Sequence, residues 1–525
     1  MQFDNTINKT SFMNAIIETL NGLVWSWPLV GLCLLAALYF SFGTRFIQVR
    51  RFGEMVRLLF KTNGPKKEGI SSFQAFALAL SGRVGTGNIV GVALAIGYGG
   101  PGAIVWMWII AFLGAGTAFA EATLAQMYKE RVGKQLRGGP AYYIEKGLKC
   151  RWLAVLFAVS TVLACACCLP PIHSNSIASS FSASFGIAPW IIGICVALLL
   201  ALVVMGGVKR ISKVAEIVTP FMAIAYVLIS LVVLFCNLPA VPAAFKMMIQ
   251  SAFGTHEVLG AILGSAVAWG VKRGIYSNEA GQGTAPIVAA AAEVSHPVKQ
   301  GLVQGFSVYI DTLLVCTATA VMLLATNCYN VMTPDGTMIL AGSNAATLGE
   351  PGVSYTIAAL STLLGSRWGG VVVSVTLFFF AFTTIMAYYY YAETNLVYLF
   401  HSVRRRKARK ASQNEQAELA AADQRFGDDR SEKVLTWVLR FVFIGSVVFG
   451  SLKEAKIIWD LGDTGVGVMA WINIVAIVLL SPKVFKVLRS YDKQKRAGQE
   501  PRFNPTEMGL EGCEFWDEQP TEKEQ

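Results

Sequence analysis

Apolar runs of spanning length recur near Leu23 to Gly43, Ser71 to Tyr98, Ala103 to Tyr128, Trp152 to Leu169, Trp190 to Gly206 and Val214 to Leu234. They continue near Val258 to Val294, Leu302 to Leu324, Gly369 to Phe400, Val434 to Ser451 and Val466 to Leu480. A bilayer core takes about 20 helical residues, so the pattern predicts an all-α membrane protein of about eleven transmembrane helices. Two runs are interrupted by polar and glycine residues: Ser81-Gly-Arg-Val-Gly-Thr-Gly-Asn88, and Gly270-Val-Lys-Arg-Gly-Ile-Tyr-Ser-Asn-Glu-Ala-Gly-Gln-Gly283. Non-helical backbone survives at membrane depth only where it lines a protein-walled cavity. Paired breaks in corresponding halves of a chain point to the binding site of a secondary transporter.

Setting aside the first helix, the rest divide into two sets of about five, each opening with a broken helix. An odd number per set inverts the second relative to the first, which predicts an inverted repeat. The expected divisions are 1–66 (outer tail, extra helix and basic loop), 67–236 (first repeat), 237–403 with 434–482 (second repeat), 404–433 (charged loop) and 483–525 (tail). The loop and the tail beyond Tyr491 read as solvated.

Composition agrees with a bilayer: 54% of the 525 residues are hydrophobic and 15% charged, against about 25% charged in soluble domains. The net charge of +11 is topological and calls for no nucleic acid. Arg45, Arg50 and Arg51, then Lys129, Arg131, Lys134 and Arg137, then Lys209, Arg210 and Lys213, the run Arg404 to Lys410, and Lys483, Lys486 and Arg489 mark cytoplasmic loops of an inner-membrane protein. The opposite loops hold scattered bases such as Lys246 and Arg367. The amino terminus is expected outside and the carboxyl terminus inside. Met1 to Ser11 lacks a basic stretch before a short apolar core, so the first run reads as a retained span. The ten cysteines have no metal-ligand spacing and read as packing residues.

At the first break, the amides of Gly87, Asn88 and Ile89 would carry the positive end of a helix dipole, suited to a carboxylate. Glycines 85 and 87 permit close approach, with Thr86 between them. Carbonyls around Leu80 to Val84, and again Trp269 to Val271, would face a cation or an ammonium. The second break places Ser277, Asn278 and Glu279 at membrane depth, with Gly281, Gly283 and Thr284 restarting the helix. Glu279 needs a partner, and Arg83 and Arg273 are the candidates for a structural or gating ion pair. Asp311, near mid-span beside Thr312, carries the same dual reading.

Thr383 and Thr384, in the middle of the ninth span, would complete an oxygen cage for a hard cation. The aromatic run Tyr388 to Tyr391 would close over a substrate or serve as core. His173, after Pro170-Pro171, reads as a packed or hydrogen-bonded imidazole more than as a proton relay. No metalloprotease motif, catalytic triad or cofactor loop is present, which argues against an enzyme. A channel would need a pore usually built by a symmetric oligomer, whereas this chain supplies both breaks itself.

At these residues the chain closely resembles the alanine or glycine:cation symporter family, also called sodium:alanine symporters. The resemblance rests on Gly85-Thr-Gly-Asn-Ile-Val-Gly91 running into Gly99-Gly-Pro-Gly102, on Gly138-Gly-Pro-Ala-Tyr-Tyr143 and on Arg273-Gly-Ile-Tyr-Ser-Asn-Glu-Ala-Gly-Gln-Gly-Thr-Ala-Pro286. It continues through His296-Pro-Val-Lys-Gln-Gly301 and Asp311-Thr-Leu-Leu-Val-Cys316. It implies a leucine-transporter-type fold and sodium-driven, in some members proton-driven, uptake of a small neutral amino acid. It also implies substrate contacts at Thr86, Gly87, Asn88, Ser277 and Asn278, and Gly85, Gly281 and Tyr388 are counted with them as substrate-binding residues. Sodium would lie at Thr383 and Thr384 with the carbonyls of Ser81 and Val84. Ala387-Tyr388 stands where members usually show Gly-Trp, and Leu169-Pro-Pro-Ile-His173 where a Gly-Asn then Gln pattern is common. Alanine, glycine, serine and a larger substrate such as glutamine therefore all stay open. Beyond amino acid, cation and lipid, no partner is called for.

Overall fold

The computed structural model describes residues 14–60, 69–133, 135–333, 335–345, 347–408 and 430–517. Lys134, most of the charged loop and the chain's first 13 residues, on which part of the topology reading rests, lie outside these. The helices are α1 (Asn14–Gly43), α2 (Ser72–Arg83), α3 (Gly87–Gly99), α4 (Gly102–Met127), α5 (Pro140–Gly147), α6 (Arg151–Phe185), α7 (Pro189–Val204) and α8 (Gly207–Cys236). They continue with α9 (Val241–Ala252), α10 (Leu263–Asn278), α11 (Ala285–Ala291), α12 (Pro297–Ala325), α13 (Val353–Ala408), α14 (Arg430–Leu452) and α15 (Ala455–Arg496). Two antiparallel hairpins, β1 (Glu130–Val132) with β2 (Gln135–Arg137) and β3 (Asn330–Met332) with β4 (Met338–Ala341), cap opposite loops.

Among the described residues eight helices are long and apolar enough to cross a membrane, and nine when the bent pair α2–α3 counts as one span. Helix α7, with 16 residues, and the pair α10 and α11, with 16 and 7, are shorter. The protein is thus an all-α, multi-pass membrane protein. Large apolar side chains such as Leu198, Phe221, Phe441 and Leu479 stand exposed on the outer faces, as lipid contact requires.

Several helices outrun the hydropathy. Pro170 and Pro171 suggest an end near Leu169, yet α6 runs to Phe185, because a π turn at Ala164–Cys168 widens the helix where the proline rings would clash with the preceding turn. Helix α13 begins well before Gly369 and bends at Gly365, whose φ of 80° favours glycine. Helix α15 continues to Arg496.

The tail corrects a second expectation. Beyond α15 the chain folds back: Phe503, Leu510, Cys513, Phe515 and Trp516 are buried, and Trp516 Nε1 donates to the Gln126 carbonyl at 2.8 Å. Lys129 lies over the rings of Phe515 and Trp516. Aromatic residues spaced through a polar stretch supply the apolar contact that average composition conceals.

The two interrupted segments lie antiparallel. Residues before α2 meet the end of α11 through Ile70 N to Ala291 O and Glu293 N to Ile70 O, both 3.0 Å. At the other end Ser265, early in α10, donates to Tyr98 O of α3 at 2.8 Å, and Tyr98 stacks on Trp269. Their breaks therefore face each other near the middle of the paired segments, and α4 packs along both.

Candidate functional site

Helix α2 starts on a capping box between Ser71 and Gln74 and persists through Ser81 to Arg83, so the first break is shorter than the sequence indicates. The chain leaves the helix at Val84 (φ −77°, ψ 89°) and re-enters through a π turn at Gly87–Gly91. Asn88 closes this break on itself. Its Oδ1 accepts from Gly85 N at 2.8 Å, and its own amide donates to Gly85 O at 3.2 Å, so that amide is not free as the dipole reading expected.

Thr384 meets the break directly. Its hydroxyl lies 2.7 Å from Ser81 O, 2.9 Å from Phe380 O and 3.5 Å from Val84 O. One hydroxyl proton serves one carbonyl at a time, so these oxygens form an electron-rich cluster suited to a small hard cation. A Cβ at position 85 would fall 2.4 Å from Thr384 Oγ1, so glycine is required there. Thr383 does not join the cluster: its hydroxyl bonds back to Phe379 O and Phe380 O and faces Met222.

The second break also starts later than expected. Helix α10 is continuous through Asn278, which leaves the Trp269 to Val271 carbonyls inside a helix rather than at its end. The chain turns at Glu279 (φ 55°), Gly281 (φ 91°) and Gly283 (φ 88°) before α11. Asn278 Oδ1 accepts from Ala280 N at 2.9 Å, while its buried Nδ2 has no partner among the described residues. Gly281 faces Ile474 and gives its carbonyl to Asn473 Nδ2 at 3.0 Å, so it is held by the scaffold.

Asp311 joins the two breaks. Asn88 Nδ2 donates to its Oδ1 at 2.6 Å, and Ser277 and Thr312 donate to its Oδ2 at 2.9 and 2.6 Å. Cys316 Sγ lies 3.2 Å from both Asn88 Nδ2 and Ser277 Oγ. Asp311 and Cys316 share the π-widened stretch Tyr309–Cys316, which brings residues five apart onto one face. Reading the cysteines as packing residues missed this placement.

Aromatic groups wall the breaks. Thr86 Oγ1 is 2.9 Å from His173 Nδ1, which bears out a hydrogen-bonded imidazole, and His173 meets the Tyr388 ring edge-on. Tyr276 lies over Gly87, where a Cβ would sit 3.1 Å from its Cδ1. Tyr391 OH donates to Glu279 Oε2 at 3.3 Å. Ser81, Thr86, Asn88, Ser277, Asn278, Glu279, Asp311 and Thr384 are all completely buried.

The ion pairs differ from those expected for Glu279. Arg83 donates to Gln304 O at 3.1 Å and to Ser307. Arg273 pairs with Asp463 on α15 and is ringed by Trp269, Tyr276 and Trp459. Asp463 escaped notice because it precedes the apolar run placed at Val466. Glu121, buried on α4, was legible as a carboxylate inside an apolar run and was overlooked. Among the described residues no group of three or more His, Cys, Asp or Glu side chains is placed to hold a metal.

The chain matches the sodium:alanine symporter family over residues 10–412 and 424–505. It is 46% identical to the putative sodium/proton-dependent alanine carrier protein YrbD of Bacillus subtilis, covering 97% of this chain and 99% of that one. It is 43% identical to a sodium/proton-dependent alanine carrier of Bacillus sp. strain PS3 (88% and 97%), and 38% identical to the probable sodium/glutamine symporter GlnT of B. subtilis (95% and 95%). A solved sodium-coupled sialic acid symporter is similar at 14% identity with a TM-score of 0.48, over 87% of this chain and 86% of that one. These relatives are transporters of bacterial membranes and not enzymes. The chain belongs to the sodium:alanine symporter family, whose members couple amino-acid movement to a cation.

Proposed function

We propose that this chain imports a small neutral amino acid, alanine or glycine and in lesser measure serine, with sodium, by alternating access. The observation that carries the reading is the meeting of both breaks on Asp311, with the Ser81, Val84 and Thr384 oxygens beside the first break. Sodium binds those oxygens and stiffens the gap between α2 and α3. The substrate carboxylate docks at the first turn of α3, at Thr86, Gly87 and Asn88. The ammonium is held by Ser277, Asn278 and the carbonyl end of α10. The closeness of Tyr276 to Gly87, with Tyr388 and His173 near by, supports a small side chain.

Two halves, 67–236 and 237–403 with 434–482, act as inverted repeats of a leucine-transporter-type fold, and the antiparallel lie of the broken segments supports that division. The amino terminus faces outside. The test is uptake of labelled alanine into proteoliposomes. Accumulation driven by an inward sodium gradient, with unlabelled glycine and serine competing better than glutamine, is the expected result. Uptake at equal rates with and without a sodium or proton gradient overturns symport. A proton gradient alone driving accumulation, or glutamine competing best, corrects the ion or the substrate.

A further inference from the structure

Beside the breaks the buried charges do not balance. Glu121, Glu279 and Asp311 are fully buried, and Arg83 is in electrostatic range of all three. Lys272 and Arg273 belong to a separate group with Asp463 and Asp460. Were all three ionised, three carboxylates against this guanidinium would leave two negative charges in the protein interior. A sodium ion beside Thr384 offsets one of them, and a zwitterionic amino acid offsets none. An uncompensated charge at this depth is strongly disfavoured.

Hydrogen bonding sets Asp311 apart from the two glutamates, and the link through Asn473 sets Glu121 apart from Glu279. Asp311 accepts from Asn88, Ser277 and Thr312, so both its oxygens are served as an ionised carboxylate requires. Glu279 takes the Tyr391 hydroxyl on Oε2 at 3.3 Å, and its Oε1 has no hydrogen-bond partner among the described residues. Glu121 receives Asn473 Nδ2 at 2.5 Å, the Gly281 backbone also lies against its carboxylate, and its Oε2 has no side-chain partner among the described residues. Further orphaned polar atoms at the two breaks are Nε and Nη2 of Arg83, and both amide atoms of buried Gln282. Such a set calls for an additional proton or water.

Asn473 also donates to Gly281 O and accepts from Tyr143 OH, so Glu121 is wired to the backbone of the second break. From these contacts we infer that Glu121 is a proton site, loaded from the aqueous side together with sodium and amino acid and emptied on release, its state read by the second break through Asn473. This rests on the symport reading above. The transferred proton forms an O–H bond at Glu121 Oε2 and leaves as a hydrated proton. The charged and titratable groups facing this region are Arg83 and Glu279 across the break, Tyr143 on α5, and around Glu279 Asp311, Tyr276, Tyr388, Tyr391 and Cys165.

The test uses the full chain in vesicles holding a trapped pH dye, at a fixed inward sodium gradient. The expected results are internal acidification that accompanies alanine entry, and a rate that falls by up to about tenfold per unit of rising external pH once the site titrates. Glu121→Gln is expected to show neither the acidification nor the pH dependence. Calorimetric titration of the wild-type chain with alanine in sodium, in two buffers of different ionisation enthalpy, gives a reading independent of any variant. Alanine entry without acidification, together with heats that do not depend on buffer, overturns the proton site while leaving sodium symport intact. Absence of sodium-driven uptake altogether overturns the symport reading instead.

Discussion

Asn88 and Asp311 lie 223 residues apart in sequence and are joined by a 2.6 Å hydrogen bond. Asn88 belongs to the first interrupted helix. Through Ser277, which donates to the other oxygen of Asp311, the bond reaches the second. Both breaks are thereby tied to one carboxylate on a helix that is itself unbroken. Asp311→Asn keeps the shape but turns an acceptor into a donor facing Asn88 or Ser277. We expect alanine uptake to fall more than about tenfold, with surface expression unchanged, since a mismatched buried pair costs about 1–3 kcal/mol. Asn88→Ala and Asn278→Ala are expected to abolish transport, and near-normal kinetics in both would refute the pocket.

The two threonines of α13 make a paired test. Thr384 faces the carbonyls of Ser81 and Val84, whereas Thr383 is bonded back into its own helix. Thr384→Ala should raise the sodium concentration for half-maximal uptake by about tenfold, one charge-assisted ligand being worth roughly 1.5–3 kcal/mol. Thr383→Ala should shift it less than about threefold. Sodium titration of alanine uptake in both variants decides, and equal shifts would count against the assignment.

Arg273 and Asp463 form a buried ion pair enclosed by three aromatic rings. Removing one partner strands the other charge, at a cost of about 3–5 kcal/mol. Asp463→Asn should therefore lower the melting temperature sharply, and the double change Arg273→Met with Asp463→Leu should restore most of it. If the pair also latches α15 over the first break, where Arg273 Cδ and Trp459 approach Gly91, the double variant stays inactive in uptake. Recovered transport in the double variant would reduce the pair to a structural role.

The tail is pinned by Lys146, which lies 2.7 Å from both Glu130 and Glu514. Burial pulls the Lys146 ammonium down, but the two carboxylates outweigh it and its pKa is raised. The sign follows: this contribution is complete below the ordinary lysine value of about 10.4 and is lost only as pH rises through the higher folded value. Protease cleavage within 497–517 should thus be equally slow at pH 7 and pH 9. Trp516→Ala, which removes a buried ring and its bond to Gln126 O, should speed that cleavage by tenfold or more, given about 3–5 kcal/mol for such a truncation. Rapid cleavage of the wild-type tail at pH 7 would contradict the docking.

Much of the site was legible in the chain because membrane burial penalises polar residues severely. A glycine-rich stretch or a carboxylate inside an apolar run therefore advertises itself, as Gly85 to Asn88, Ser277 to Glu279 and Asp311 did. Thr384 was legible only as one of a pair, since hydropathy cannot tell which of two neighbouring hydroxyls faces inward. Asp463 and the buried aromatics of the tail were hidden by windows that average composition over many residues. Glu121, a carboxylate inside the run Ala103 to Tyr128, carries the same signal.

Local sequence determined the class: apolar run lengths, two glycine-rich interruptions and the placement of basic loops required a helical membrane protein with a polar centre, and the motif residues placed it in its family. Partnership was decided only by tertiary structure. Arg273 bonds Asp463 rather than Glu279, Thr384 rather than Thr383 reaches Ser81, and Asp311 joins two breaks nearly 200 residues apart. Hydrogen bonds and ion pairs form only over a few ångströms and in a fixed direction, and those conditions are met when helices pack side by side, an arrangement that no periodicity along one segment contains.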